Sequence, residues 1–244
     1  MNLQAAGRTD IGRKRNNNED FLYVDDELGL FIVCDGVGGN MSGEVASRKA
    51  TELIVDFICR NRTLLDQALE DERSDRPLQR FVEQAIRHTC IELHQLAQSG
   101  PGFDRMATTL TMLLIGERRG VVGHVGDSRL YLKRNGDVTQ LTTDHTVLTE
   151  YTTGNPEWAE QCPDPELVKR FRSMLTRAVG NESNVSIDTF VFAPRDGDVL
   201  LLCSDGLSNY FRSGTEISRL LDGSSVTRVA ETLVAYANRQ GGHD

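Results

Sequence analysis

Leu30-Phe31-Ile32-Val33-Cys34-Asp35-Gly36 is an apolar run that ends on an aspartate beside a glycine, and the chain contains two more runs of this kind. They are Val121-Val122-Gly123-His124-Val125-Gly126-Asp127-Ser128 and Val199-Leu200-Leu201-Leu202-Cys203-Ser204-Asp205-Gly206. A short apolar run bounded by turn residues predicts a buried strand, so each run places a carboxylate at a strand end. Because carboxylates are costly to desolvate and repel one another, we expect a cation among them. The pattern predicts a metal site on a sheet.

Length, charge and cysteine content limit the class of protein. The chain has 244 residues and no Pro/Gly/Ser-rich linker, so we expect one domain over residues 1–244. The formal net charge of −9 disfavours nonspecific binding to nucleic acid or to an anionic membrane, and we expect neither as a partner. No run has the apolar length of a membrane span, and the first residues lack the features of a secretory signal. The five scattered cysteines form no C-x-x-C pair, which predicts reduced packing residues in a cytoplasmic protein.

Strands and helices occur in blocks along the chain. Helices are predicted after Ser42, which can cap the first, from Pro77, which opens the second, and from Val226 to a stop at Gly241-Gly242. Strands are predicted at 21–24, 28–34, 108–115, 120–125, 130–133, 138–141, 186–192 and 199–203. The strands between 108 and 141 are typical of an antiparallel meander, with Asn135-Gly136 as a hairpin turn. This order predicts a layered α+β fold in which helices cover antiparallel sheets.

The segment from about 142 to 173 lacks a clear hydrophobic period. It contains Gly154, Pro156, Pro163 and Pro165, which interrupt regular structure. We therefore expect an irregular flap with at most short helices.

Single Asp-Gly pairs are common turn signals, so each candidate ligand has an ordinary alternative. Asp196-Gly197 lies between two predicted strands as a hairpin turn, and we leave it out of the site. Asp35 and Asp205 follow four or more apolar residues, which favours the metal site. Asp20 ends a polar run that is equally typical of a solvated loop. Arg15, in the same run, is either a surface charge or a ligand for a phosphate group.

Several other chemistries lack the required spacing. The glycine-rich run from Gly38 to Gly43 has Glu44-Val45 where a phosphate loop needs Lys and Ser/Thr. No G-x-S-x-G elbow surrounds Ser128 or Ser204, and no H-E-x-x-H pair is present. A ligand set made only of oxygen atoms favours hard cations such as Mg²⁺ or Mn²⁺ over zinc.

Eight motifs occur together in an order that resembles one enzyme family. They are Arg15-Asn16-Asn17-Asn18-Glu19-Asp20, Asp35-Gly36-Val37-Gly38-Gly39, Gly43-Glu44-Val45-Ala46, Ala107-Thr108-Thr109, Val125-Gly126-Asp127-Ser128-Arg129-Leu130-Tyr131, Asp144-His145, Leu175-Thr176-Arg177-Ala178-Val179-Gly180 and Ser204-Asp205-Gly206-Leu207. From about Gly7 to Asp244 the chain resembles the metal-dependent protein phosphatases of type 2C, in their compact bacterial form. The resemblance implies a four-layer αββα β-sandwich, with two antiparallel sheets flanked by pairs of antiparallel helices. It also implies removal of phosphate from phosphoserine and phosphothreonine in proteins.

The resemblance assigns metal ligands and catalytic residues by position. Asp35 would bridge two cations, Mn²⁺ or Mg²⁺, and the Gly36 carbonyl would complete one of the two sites. The other ligands would be Asp205 and Asp244 at the second site, Glu19 and Asp20 through waters, and Asp127 at a third, weaker site. Arg15 would bind the substrate phosphate, which makes Arg15, Asp35 and Asp205 the candidate catalytic residues.

A water activated by the two cations would then attack phosphorus directly, without a phosphoenzyme. In-line displacement needs positioning and charge stabilisation more than a protein nucleophile, in agreement with the lack of a Cys or Ser motif. The resemblance implies phosphoprotein substrates and an opposing bacterial serine/threonine kinase, and we expect a monomer.

The chain departs from the family pattern at two places. Val37 stands where animal members have a histidine that is thought to protonate the leaving group, so water, or less plausibly His145, would supply this proton. Family chains also continue beyond the last metal aspartate into a final apolar strand, whereas this sequence stops at Gly241-Gly242-His243-Asp244. We therefore expect a truncated chain that lacks this strand.

Two readings without catalysis stay open. The first is a silent regulator that keeps the fold to bind phosphoproteins, although such a module does not need the acidic cluster. The second is a purely structural cation site, although the sequence contains no D-x-D-x-D-G calcium loop.

Overall fold

The computed structural model describes residues 3–38, 41–71, 73–100, 106–223 and 225–243. The strands are β1 (Asp20–Asp25), β2 (Leu30–Val37), β3 (Ala107–Thr108), β4 (Leu110–Ile115), β5 (Gly120–Val125), β6 (Arg129–Arg134), β7 (Asp137–Gln140), β8 (Asp188–Phe192) and β9 (Val199–Cys203). The helices are α1 (Met41–Arg60), α2 (Arg62–Glu70), α3 (Arg76–Ala97), α4 (Val147–Gly154), α5 (Trp158–Gln161), α6 (Pro165–Ser173), α7 (Asp205–Ser208), α8 (Gly214–Leu220) and α9 (Val226–Gln240).

The larger sheet is antiparallel, with the strand order β1-β2-β4-β5-β8 and the short β3 paired to β2. Alternate residues of β2 pack on opposite faces, as the period of two in a strand requires. Ile32 packs with the helices on one face, whereas its neighbour Phe31 packs toward the other sheet. The strand predicted at 28–34 is therefore present, but it begins two residues later, at Leu30, and extends through Asp35 and Gly36 to Val37.

The smaller sheet has the order β7-β6-β9 and is also antiparallel. The predicted hairpin is confirmed, because Asn135 and Gly136 join β6 to β7 with φ values of 54° and 90°. The predicted meander is wrong between β5 and β6, which belong to different sheets. Gly126, between these strands, has a φ of 109° in the region that favours glycine, and the turn there leads the chain into the second sheet.

Three apolar clusters define four layers. The first lies between the larger sheet and the helices α1 and α3, and includes Ile32 and Ile86. The second lies between the smaller sheet and the helices α8 and α9, and includes Ile217 and Leu233. The third lies between the two sheets, around Leu130. Each fully buried Ile or Leu contributes about 1.5–3 kcal/mol, so the three clusters hold the layers together. The predicted αββα sandwich is confirmed.

Several local predictions need correction. Ser42 is not a cap, because Met41 is already helical and Ser42 lies in the first turn of α1. The short helices α2, α7 and α8 were not predicted, because each has too few residues for a clear hydrophobic period. Of the five cysteines, Cys59 is exposed and is not a packing residue. It lies near the end of α1, on the side that faces away from the core.

The predicted irregular segment at 142–173 contains the three short helices α4, α5 and α6. Tyr151, Trp158 and Phe171, one from each helix, form a small aromatic cluster with ring centroids 5.2–5.6 Å apart. In the part of the chain that the structure describes, we find no helix with the length and apolar content needed to cross a membrane.

A cavity of about 460 Å³ lies between β1 and β2 on one side and β9 and α9 on the other. Apolar side chains such as Phe31, Leu200 and Leu233 line it, together with the N-terminal segment 3–10. Among the described residues, β9 pairs only with β6, so β9 is the edge strand next to this cavity.

Candidate metal centre

Four predicted ligands meet where β1 begins and β2 ends. Asp20 lies directly opposite Asp35 in the β1–β2 pair, which places their side chains on the same face of the sheet. The Gly36 N–H donates to the Glu19 carbonyl at 3.1 Å. Antiparallel pairing thus brings Glu19, Asp20, Asp35 and Gly36 to one end of the sandwich, although 14 residues lie between the two pairs in the sequence.

The backbone of Asp35 is fixed by Thr108 and Thr109. The Asp35 N–H donates to Thr109 Oγ1 at 2.9 Å, and the Asp35 carbonyl accepts from Thr109 N at 2.8 Å and from Thr108 Oγ1 at 2.9 Å. Both threonines are buried. Three hydrogen bonds therefore hold the residue that the sequence analysis assigns as the bridging ligand.

The two glycines Gly36 and Gly43 allow α1 to start against the Asp35-Gly36 turn. A Cβ atom added to Gly36 would lie 2.1 Å from the Gly43 carbonyl oxygen. A Cβ atom added to Gly43 would lie 2.6 Å from Glu19 Oε2. Because any larger residue would meet these atoms, the glycines let α1 pack beside Glu19 and the Gly36 carbonyl.

The end of β9 joins this group through Ser204. The Ser204 hydroxyl donates to Asp20 Oδ2 at 2.6 Å, which links the second sheet to the first. Asp205 follows directly as the first residue of α7, and its Oδ2 accepts from Asn209 Nδ2 at 3.1 Å. The predicted ligand Asp205 thus stands next to a side chain that contacts Asp20. Ser204 is not among the residues predicted to form the site.

Asp127 lies in the turn between β5 and β6 and is buried, with 9% of its surface exposed. Since Arg129, at the start of β6, pairs with Cys203 at the end of β9, this turn lies beside Asp205. Burial, reinforced by the negative charges of Asp205 and Asp144, raises the pKa of Asp127 to about 7. A carboxylate in such a negative field is stabilised by a cation.

An ion pair that the sequence analysis did not predict lies beside this turn. Arg129 Nη2 is 2.6 Å from Asp144 Oδ2, and Arg129 Nε donates to Asp144 Oδ1 at 2.9 Å. Arg129 Nη1 also donates to the Tyr131 hydroxyl at 3.0 Å. The two-atom contact fixes the start of β6 to the start of the flap segment. Its partners are 15 residues apart, and no local sequence signal reveals their pairing.

Arg15 is exposed in the loop that precedes β1. Its neighbour Arg13 donates its backbone N–H to the Gly242 carbonyl at 2.7 Å, so the turn after α9 is tied to this loop. Asp244, the remaining predicted ligand, lies outside the described residues.

The described residues contain no group of three or more His, Cys, Asp or Glu side chains close enough to form a metal site by themselves. The predicted centre draws part of its ligands from elsewhere, namely the Gly36 carbonyl, waters and Asp244. The donors that do meet are all oxygen atoms, and oxygen is the ligand that Mg²⁺ and Mn²⁺ prefer. The residues present therefore fit a hard divalent cation that would complete its coordination with a backbone carbonyl, waters and a carboxylate outside the described residues.

The other reactive groups near this end of the sandwich are not available for catalysis. Burial raises the pKa of the Cys34 thiol to about 12, and it does the same for Cys203, so neither is a thiolate near neutral pH. His145 is 5% exposed, and its Nδ1 accepts from the Gly126 N–H at 3.0 Å. Val37 is 40% exposed at the end of β2 and has no proton to donate. These surroundings leave the carboxylates as the candidate groups for chemistry at this end of the sandwich.

A family model described as Protein phosphatase 2C matches residues 6–238 of the chain. The chain is similar to the serine/threonine phosphatase stp of Listeria innocua, with 32% identity over 99% of this chain and 92% of that protein. It is also similar to the protein phosphatase PhpP of Streptococcus pneumoniae, with 33% identity over 97% of this chain and 92% of that protein.

Solved structures show the same fold. The serine/threonine phosphatase PstP/Ppp of Mycobacterium tuberculosis has a TM-score of 0.79 and 33% identity, over 98% of this chain and 93% of that one. A structure of the catalytic domain of the serine threonine protein phosphatase PstP in complex with two manganese ions has a TM-score of 0.78 and 31% identity, over 98% of this chain and 93% of that one. The chain belongs to the protein phosphatase 2C family, whose enzymes depend on metal ions.

Proposed function

We propose that this chain hydrolyses phosphoserine and phosphothreonine in proteins, with two divalent cations held at the end of the sandwich where β1 begins and β2 and β9 end. The observation that carries the proposal is the pairing of two carboxylates across neighbouring strands, with a third next in sequence to a serine that contacts one of them. Asp20 and Asp35 face one another across β1 and β2, and the Ser204 hydrogen bond brings Asp205 beside them. Such a group of carboxylates is stable when cations neutralise it.

Each residue of the proposed centre has a separate task. Asp35 would contact both cations, with the Gly36 carbonyl at one and Asp205 and Asp244 at the other. Glu19 and Asp20 would hold waters of the coordination shell. When bound, two such cations lower the pKa of a shared water and offset negative charge on the phosphoryl oxygens.

The chain itself must bind and orient the phosphate group. Arg15 would donate two N–H groups to phosphate oxygens, which fixes the phosphorus atom for attack in line with the leaving oxygen. Thr108 and Thr109 would keep Asp35 in place through its backbone during the reaction. Because Val37 has no proton and His145 is buried, we propose that water protonates the leaving oxygen.

The experiment compares Asp35, in the proposed centre, with Asp196, in a turn far from the predicted ligands. Each of the two aspartates is followed by a glycine. Phosphate release from p-nitrophenyl phosphate and from a phosphothreonine peptide is measured with Mn²⁺ and with EDTA. Asp35→Asn should lower kcat by about 10²–10³-fold, the loss typical for one charge-stabilising group. Asp196→Asn, in the exposed turn before β9, should match the parent.

Equal turnover by Asp35→Asn and the parent, or turnover that survives EDTA, would reject the two-cation mechanism. Tight binding of the phosphopeptide by a parent protein that shows no turnover would instead support the silent regulator.

Narrower statements belong to the same proposal. We propose that Mg²⁺ can replace Mn²⁺, that a third, weaker cation binds at Asp127, and that the enzyme opposes a serine/threonine kinase. Burial of Asp127 beside Asp205 supports the third site, because this field favours a cation. The monomeric state and the cytoplasmic location stay predictions, and light scattering in solution tests the first.

A further inference from the structure

The turn that carries Asp127 is held by one histidine. The Gly126 N–H donates to His145 Nδ1 at 3.0 Å, and the His145 N–H donates to the Gly126 carbonyl at 2.8 Å. Gly126 also packs tightly on Thr109, because an added Cβ atom would lie 2.6 Å from Thr109 Cβ and Cγ2. The turn therefore has little freedom to move away from His145.

These contacts determine the protonation of the His145 ring. A backbone N–H can only donate, so Nδ1 is the acceptor and the ring proton is on Nε2. His145 Nε2 lies 3.2 Å from Asp188 Oδ2, the acceptor for this proton, and 3.1 Å from Arg177 Nη1. Because Arg177 cannot accept a proton, its Nη1 donates instead to Asp188 Oδ1 at 2.8 Å. Burial lowers the pKa of His145, with a smaller contribution from the Arg177 charge, which agrees with a neutral ring. Asp188 thus orients the ring so that Nδ1 faces Gly126.

His145 also lies at the base of the flap segment, where its two ends meet. The Thr176 N–H donates to the His145 carbonyl at 2.9 Å, and the Val147 N–H donates to the Met174 carbonyl at 2.9 Å. The helices α4, α5 and α6 lie between these two hydrogen bonds. One residue consequently contacts both the Asp127 turn and the two ends of the flap.

A second buried histidine, His124, packs against His145. The His124 ring lies 4.7 Å from the His145 ring, and His124 Nε2 is 3.1 Å from the Thr143 carbonyl. The Thr111 hydroxyl lies 2.9 Å from both His124 Nδ1 and the Ser128 carbonyl, next to Asp127. Burial, followed by the neighbouring His145, lowers the pKa of His124 to about 4 and keeps this ring neutral as well.

We propose that His145 is a positioning residue that locks the Asp127 turn to the base of the flap. It thereby fixes the position of the Asp127 carboxylate relative to the flap. The inference rests on the proposed function in one respect, namely that Asp127 helps to hold the weak third cation. Partners that orient a ligand from outside the coordination shell usually change metal affinity by 10–100-fold.

Three substitutions separate the contacts of His145. The Asn side chain in His145→Asn places an oxygen near the position of Nδ1, so it can still accept from the Gly126 N–H. The Gln side chain in His145→Gln places its amide near the position of Nε2, so it keeps the Asp188 contact but loses the Gly126 contact. Asp188→Ala leaves the ring in place but removes the acceptor that orients it, and Asp188 is half-exposed, so the fold should persist.

The test titrates metal-free protein with Mn²⁺ alone, followed by electron paramagnetic resonance, and measures hydrogen exchange of the peptides around residues 126–129 and 144–147. His145→Gln and Asp188→Ala should raise the Kd of the weakest Mn²⁺ step by about tenfold or more, while the tighter steps stay within twofold. The same two variants should exchange faster in both peptides. His145→Asn should stay within threefold of the parent in Kd.

A weakest-step Kd that is unchanged in His145→Gln, or a His145→Asn variant that loses as much affinity as His145→Gln, would overturn the inference. If His145→Gln does not fold, the Kd of Asp188→Ala decides. A parent with only two Mn²⁺ steps removes the third cation from the proposed function, and the exchange rates then decide whether His145 locks the flap. A parent that neither binds Mn²⁺ nor releases phosphate contradicts the proposed function itself, whatever the variants show.

Discussion

Gly36→Ala should damage both the stability of the protein and its metal centre. The added Cβ atom would lie 2.1 Å from the Gly43 carbonyl oxygen and 2.3 Å from its carbon, and real Cβ atoms almost never come closer than 3.0 Å. Both distances are far below that limit, and the obstructing atoms are backbone atoms of α1. The first turn of α1 would therefore have to shift as a unit, away from Glu19 and Asp35.

The magnitude follows from the cost of overpacking. Extra methyl groups in tightly packed sites typically cost about 1–3 kcal/mol, and because the obstruction is backbone, Gly36→Ala should cost about 3 kcal/mol. For a chain of this size, 1 kcal/mol corresponds to about 2–4 °C in Tm, so Tm should fall by roughly 6–12 °C. Movement of the Gly36 carbonyl should also weaken Mn²⁺ binding.

Two other glycines provide graded controls in the same urea and thermal unfolding measurements. Gly43→Ala meets the flexible end of the Glu19 side chain at 2.6 Å and should cost less, whereas Gly154→Ala meets nothing within 4 Å and should change stability by less than about 0.5 kcal/mol. The reasoning is refuted if Gly36→Ala unfolds like Gly154→Ala, or if Gly43→Ala is the more damaging of the two substitutions at α1.

Three further predictions concern charge. In EDTA, Asp127→Asn should raise the free energy of unfolding by up to about 4 kcal/mol at pH 8 and leave it unchanged at pH 4. The reason is that the pKa of Asp127 in the folded parent, about 7, lies above its usual value of 3.8, so the parent loses stability as the pH rises between these two values. Equal differences in urea midpoint between the variant and the parent at both pH values would contradict this prediction. Mn²⁺ at 100 times its Kd should raise the free energy of unfolding of the parent by about 2.7 kcal/mol by mass action, and the accompanying rise in Tm should be smaller in Asp205→Asn. Identical shifts in Tm for the two proteins would remove Asp205 from the centre. Arg15→Ala should raise KM for phosphopeptides and leave Mn²⁺ binding intact, and an unchanged KM would exclude Arg15 as the phosphate ligand.

Much of the fold could be predicted because its signals are local. The β1–β2 pair, the Asn135-Gly136 hairpin and the amphipathic helices α1, α3 and α9 each have a period or a turn within a few residues of sequence. The separation of β5 and β6 into two sheets could not be predicted, since it depends on which layer each strand joins. Gly126 marks the place, but a glycine in a strand-rich region equally fits a simple turn.

The candidate site also combines residues that have a local sequence signal with residues that have none. Carboxylates at the ends of apolar runs mark Asp35, Asp127 and Asp205 as candidates in the sequence, because a charge at the end of a buried strand is costly to desolvate. The groups that hold these residues are found only in three dimensions. Ser204 reaches Asp20 across two sheets, and His145 meets Gly126 through a ring whose role a lone histidine in a sequence does not reveal.

The edge position of β9 affects the solubility of the protein. Among the described residues β9 has a strand partner on one side only, and the apolar cavity lies beside it, a combination that favours pairing with a strand from another copy. Near neutral pH the formal charge of −9 keeps copies apart, but this repulsion vanishes close to the isoelectric point of about 5.1. Concentrated solutions of this chain should therefore aggregate and become turbid in mildly acidic buffers, under conditions in which the helices are still folded.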